Sequence, residues 1–180
     1  MNAGRSFMRA IYGLTKDLTT IQSNMIFSGG KANVFAVNDL LSEFYNYNYA
    51  IKWHKYMNVK DNGVSKSTLM MFNNLELSSI HIPGRIGYCN TNRGVSSFIV
   101  LTGSVEKYFI NNSYEMFNEY ENGEVGNIFE NETYYMKSLE DTMLLNVTLF
   151  DDVEDCINSA SETEYPVDNS NNGLWRYHSK

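Results

Sequence analysis

The chain has 180 residues, 43% hydrophobic and 14% aromatic, with 13 Tyr, 10 Phe and only 2 Pro; that is enough apolar material for a buried core and too much for a disordered chain. Net charge is −7 and the 14 Lys and Arg are scattered singly, which leaves no basic patch for nucleic acid. No run approaches the roughly 18 apolar residues of a membrane span, and the N-terminus lacks the apolar stretch of a signal peptide.

A cytoplasmic or virion location is therefore expected, with no membrane partner. Cys89 and Cys156 are too few for a secreted disulfide scaffold and are expected as free thiols. The sequons at Asn111, Asn131 and Asn146 are then incidental. Asn is abundant, and its A/T-rich codons hint at an A/T-rich source genome, such as that of many phages or marine bacteria.

The first 25 residues carry apolar side chains at Phe7, Ile11, Leu14, Leu18, Ile21 and Met25, in alternating steps of four and three. That spacing predicts a helix with one apolar stripe. The stripe either packs on its own protein or serves as a docking or oligomerisation seam, and its six residues are carried as interface candidates. Gly13 interrupts the seam. Ser28-Gly29-Gly30 breaks the helix. A second helix is expected over Val37–Tyr45, with Asn38 or Asp39 as N-cap. The aromatic stretch Tyr45–Tyr56 reads as a strand start or an interface patch, and Asp61-Asn62-Gly63 as a turn.

From Thr68 onward the pattern is strand. Leu69–Phe72, Leu77–Ile82, Ser97–Leu101, Val105–Ile110, Tyr114–Phe117, Val125–Phe129, Thr133–Met136 and Met143–Phe150 are short runs bounded by Gly, Asn, Pro or acidic residues. Short strands at nearly even spacing predict an antiparallel sandwich or barrel. After Phe150 the composition turns acidic and polar through Asn172, then closes on Leu174-Trp175-Arg176-Tyr177. This reads either as a linker and an arm that docks through Trp175 and Tyr177, on its own protein or on a partner, or as a disordered tail. The chain thus divides into a helical and aromatic extension (1–62), a barrel (63–150) and a linker with its arm (151–180).

Two stretches carry a spacing of their own. In the first, Gly84 is followed after five residues by Asn90, after one by Asn92, after three by Ser96 and after six by Gly103. In the second, Gly123 is followed after five by Phe129, after one by Asn131, after two by Tyr134 and after three by Ser138. These resemble the two motifs of the cupin superfamily, the RmlC-like jelly rolls, over about 75 residues. The glycines match. The positions where the family places His, His, Glu and a further His hold Asn90, Asn92, Ser96 and Tyr134. Asn131 stands for a motif Gly and tolerates the same left-handed turn.

The resemblance implies a mainly β, antiparallel jelly-roll barrel with an N-terminal helical segment and a C-terminal extended arm. It also implies that the metal site is degenerate, because neutral amides and a hydroxyl are poor ligands for zinc, iron or manganese. No metal and no other cofactor are expected. Asn90, Asn92, Ser96, Tyr134 and Tyr88 could instead line a polar pocket for a small neutral ligand. His81, paired with Tyr134 or Tyr88, is the weak candidate for metal-free acid–base work.

The leading expectation is a non-enzymatic module for assembly or binding, through self-association or with other assembly proteins. A phage virion component is its concrete form. A metal-free sugar-nucleotide isomerase or epimerase and a small-molecule-binding regulator are the alternatives.

Overall fold

A computed structural model describes residues 3–28, 33–59, 63–111, 114–160, 164–165 and 167–168. Helix α1 spans Ala3–Ser28 and α2 spans Asn33–Tyr47; a 3-10 turn follows at Trp53–Tyr56. Nine strands come next: β1 Val64–Phe72, β2 Leu75–Ile82, β3 Gly87–Thr91, β4 Gly94–Thr102, β5 Ser104–Asn111, β6 Tyr114–Glu121, β7 Val125–Ile128, β8 Thr133–Ser138 and β9 Thr142–Phe150. Helix α3 covers Val153–Ala160, and two short strands close the described chain, β10 Glu164–Tyr165 and β11 Val167–Asp168.

The strands form two sheets. One has six strands in the order β10-β1-β2-β9-β4-β7, the other five in the order β11-β3-β8-β5-β6, and every pairing is antiparallel. Crossovers between the sheets make this a jelly roll. Its interior is filled from both sheets by residues such as Val64, Ile80, Phe98, Val105, Tyr134, Met136 and Leu144.

A second core lies outside the barrel. Strand side chains alternate faces, so β2 sends Ile80 and Ile82 inward and Leu75 and Leu77 outward. In β9, Leu144 points inward while Met143, Leu145 and Val147 point outward. The outward set packs under α1 and α2 with Ile99 and Leu101 of β4. The six-stranded sheet is thus covered on both faces.

This placement settles where the N-terminal stripe goes. Ile11, Leu14 and Leu18 are buried in the outer core, and Phe7 and Ile21 are packed against it. Phe7 stacks on Tyr56 with ring centroids 4.6 Å apart and meets Trp53 edge-on at 6.0 Å. The stripe covers its own sheet and is not a free seam; the side chain of Met25 lies outside the described residues. The aromatic stretch after Tyr45 is no strand: it continues α2, turns, and enters the 3-10 turn. Asn38 and Asp39 sit inside α2 rather than capping it, and the Asn38 amide exchanges hydrogen bonds with Asn127 of β7 at 2.9 and 3.0 Å.

The acidic stretch after Phe150 begins as a helix rather than a linker. Asp152 caps α3 by accepting the Asp155 backbone N–H at 2.8 Å. Cys156 is fully buried under α3, and burial pushes its thiol pKa up. Strand β10 then pairs with β1, and β11 with β3, so the chain crosses from one sheet to the other. Trp175 and Tyr177 lie outside the described residues.

Candidate functional site

The barrel holds a cavity of about 420 Å³ between β1, β2, β3, β4, β8 and β9. All five residues expected in a pocket, Tyr88, Asn90, Asn92, Ser96 and Tyr134, line it. Inward parity explains this: Tyr88 and Asn90 alternate along β3, and Tyr134 stands opposite Asn90 in the β3–β8 register.

The five do not play one role. Asn92 Nδ2 donates to the carbonyls of Gly94 (2.5 Å) and Ile128 (3.0 Å), and its Oδ1 accepts from Ser96 Oγ at 3.2 Å. Ser96 Oγ also shares a hydrogen bond with Thr148 Oγ1 at 2.7 Å. These amide and hydroxyl groups tie the β3–β4 turn to β7 and β9, and their hydrogen-bonding capacity is largely used. Asn90 is different. Its Nδ2 donates a long bond to the Tyr134 hydroxyl, 3.4 Å, and its Oδ1 has no partner among the described residues. The Tyr88 and Tyr134 rings meet edge to face, centroids 5.9 Å apart. Burial pushes the Tyr134 phenol above its ordinary pKa of 10.0, so it stays protonated.

The sequence reading missed the opposite wall. Asn146 and Thr148 of β9 line the cavity, and Asn146 Nδ2 donates to Thr148 Oγ1 at 3.0 Å. Asn146 Oδ1, like that of Asn90, has no partner among the described residues. Lys66 and Glu76 also reach the lining as a buried ion pair, Nζ to Oε1 3.1 Å. Lys66 Nζ donates further to the carbonyl and hydroxyl oxygens of Ser159, both at 2.8 Å, and Thr68 Oγ1 donates to Glu76 at 2.8 Å. This network fastens α3 over the cavity end. Arg93 stands exposed beside it in the β3–β4 turn.

His81 is not in the cavity. It follows the outward parity of β2, its Nδ1 accepts the Asn58 backbone N–H at 3.1 Å, and its Nε2 lies 3.2 Å from Ser79 Oγ. The β2 sheet separates it from Tyr134 and Tyr88, so the acid–base pairs expected from sequence do not form. Its expected inward orientation failed because β2 buries both faces, and its polar residues occur on each.

The motif resemblance implies a metal site at Asn90, Asn92, Ser96 and Tyr134, and the residues there do not fit one. Asn92 and Ser96 spend their donors and acceptors on the fold, and Tyr134 is held as a neutral phenol. Among the described residues, no three His, Cys, Asp or Glu side chains gather as a metal site.

The strand order and the inward-facing site define a cupin-like jelly roll. No family model and no curated protein matches the sequence. Among solved structures, the chain is similar in fold to a cupin superfamily protein from Desulfitobacterium hafniense, with 13% identity, TM-score 0.48, and coverage of 54% of this chain and 86% of that one. It is also similar to the cupin domain of Cnp3 from Schizosaccharomyces pombe (14% identity, TM-score 0.45, 58% and 73% covered). An RmlC-like cupin from Shewanella frigidimarina shows 12% identity and TM-score 0.43, with 52% and 80% covered. These likenesses concern the fold alone.

Proposed function

We propose that the barrel is a metal-free, non-catalytic binding module for a small, uncharged, oxygen-rich ligand of monosaccharide or polyol size. The observation that carries this is the pair of carboxamide oxygens, Asn90 Oδ1 and Asn146 Oδ1, on walls of one 420 Å³ cavity without partners among the described residues. Amide oxygens accept from ligand hydroxyls, and the Tyr134 phenol and the Tyr88 ring add a donor and an apolar face. An uncharged ligand fits because Lys66 is already satisfied by Glu76 and Ser159 and Arg93 stands exposed in the β3–β4 turn, so neither cation is held inside the cavity for an anion. A thermal-shift panel of neutral sugars and polyols tests the reading: a saturable rise in melting temperature supports it, and no shift at millimolar ligand counts against it.

A second reading, a structural module of a larger assembly, is favoured by aromatic side chains left exposed around the helical layer: Phe35 at 73%, Tyr47 at 89% and Tyr49 at 79%. Its concrete form is a component of a phage particle, suggested by the Asn-rich composition. Portal and tail genes next to the coding sequence would support that form; sugar-nucleotide genes would count against it.

A further inference from the structure

A groove of about 960 Å³ runs between the first half of α1 and the end of α2. Its floor is apolar, with Ala10, Leu14, Leu40, Phe44 and Ile51, and Arg9, Asp17 and Glu43 are the charged residues along it. Gly13 lies in it too. A Cβ built on Gly13 meets nothing within 4 Å. A mid-helix glycine costs about 1 kcal/mol against alanine, and here no close approach within the chain calls for it. The missing side chain leaves the groove open.

The chain itself contains a segment that matches. Residues 169–180 include Leu174, Trp175, Arg176 and Tyr177, carry Arg176 and Lys180, and have no acidic residue, in a protein of net charge −7. Trp and Tyr fill apolar grooves well, and Arg is the cation best suited to an interface carboxylate. Arg176 would find Asp17 and Glu43.

Geometry decides between the same chain and another. The last described strand, β11, edges the five-stranded sheet on the side where β10 edges the six-stranded one, whereas α2 lies over β4 and β7 at the far side of the six-stranded sheet. From β10 to β4 is four strand spacings, about 19 Å, with a sheet layer and a helix layer of about 10 Å each to cross. The step from Asp168 to Leu174 reaches only about 20 Å when fully extended. We propose that the groove between α1 and α2 binds the Leu174–Tyr177 segment of a second copy of this chain. The proposal does not depend on the cavity or its ligand.

The test is the oligomeric state of the full chain by sedimentation over a wide concentration range, beside a chain ending at Asp168 and the Gly13→Leu variant. Leucine suits a helix better than glycine and its Cβ meets nothing within 4 Å, so the melting temperature of Gly13→Leu should not fall. Concentration-dependent self-association of the full chain, lost in both altered chains, is expected. A full chain that stays monomeric overturns the proposal, as does association that survives truncation or Gly13→Leu. A monomeric full chain would still leave the assembly reading open to a different partner. Should Gly13→Leu misfold, the truncation decides, since it removes none of the described residues.

Discussion

The Lys66 ammonium and the Glu76 carboxylate face each other at 3.1 Å with side chains only 4% and 1% exposed. A buried pair of this kind adds little over a well-packed apolar pair, yet breaking it strands a charge. Lys66→Met alone should therefore cost about 3–5 kcal/mol, and the double variant Lys66→Met, Glu76→Leu should recover most of that loss. Denaturant midpoints of the three chains check this. Because Ser159 answers Lys66, the single variant should also loosen α3, read as faster labelling of Cys156.

His81 gives the protein an acid sensitivity of known sign. Its Nδ1 accepts a backbone N–H, so the native ring is neutral, and burial lowers its pKa from 6.5. The unfolded chain takes up a proton that the native chain resists. Stability from this residue is thus fully present above about pH 6.5 and declines as pH falls below it. In His81→Gln the decline between about pH 6.5 and 5 should be shallower than in the parent chain, measured by thermal melts. Parent stability that rose on acidification through this window would contradict the assignment.

Neighbouring cavity residues should separate into two kinds. Ser96→Ala removes a hydroxyl shared between Asn92 and Thr148, and should cost about 1 kcal/mol of stability with ligand affinity nearly intact. Asn90→Leu should do the reverse, leaving the fold close to parental and abolishing the ligand-induced thermal shift; Asn146→Leu should abolish it too, with a loss of about 1 kcal/mol for the bond to Thr148.

Asn131 adopts a left-handed backbone with φ of +62°. Its amide N–H also donates to the Asn92 carbonyl at 2.9 Å, closing the turn beside the cavity. Asn131→Ala should lower stability by about 1 kcal/mol and Asn131→Gly should not, as compared by thermal denaturation.

Much of the barrel was legible because strand signals are local. The runs around β2, β4, β5, β8 and β9 were bounded by turn residues, and the motif glycines marked two real turns: Gly103 and Gly123 have φ of +102° and +84°. Strand β3 was missed because Gly87–Thr91 is short and polar, and α3 because its eight residues sit in acidic sequence. The pocket residues Asn90 and Tyr134 were legible through spacing, whereas Asn146 and Thr148 were not. Polar residues at alternate positions of a strand ordinarily face water. In β9 the opposite holds, since helices cover the outer face and polar parity points into the barrel. The cue was present in the sequence, with Asn146 and Thr148 alternating against Leu145 and Val147, but it needs the helical cover to be read. The stripe on α1 was legible as a stripe; what it covers depends on the sheet beneath it.

The central claim is a metal-free cavity that takes a neutral, oxygen-rich ligand. Titration calorimetry of the full chain, first stripped with a chelator, tests it most directly, with neutral polyols and with zinc, manganese and ferrous ions in separate runs. Saturable heat from a polyol, lost in Asn90→Leu, with no stoichiometric metal binding, is the result expected. One divalent ion bound per chain, with affinity lost in Asn90→Leu or Tyr134→Phe, would contradict it.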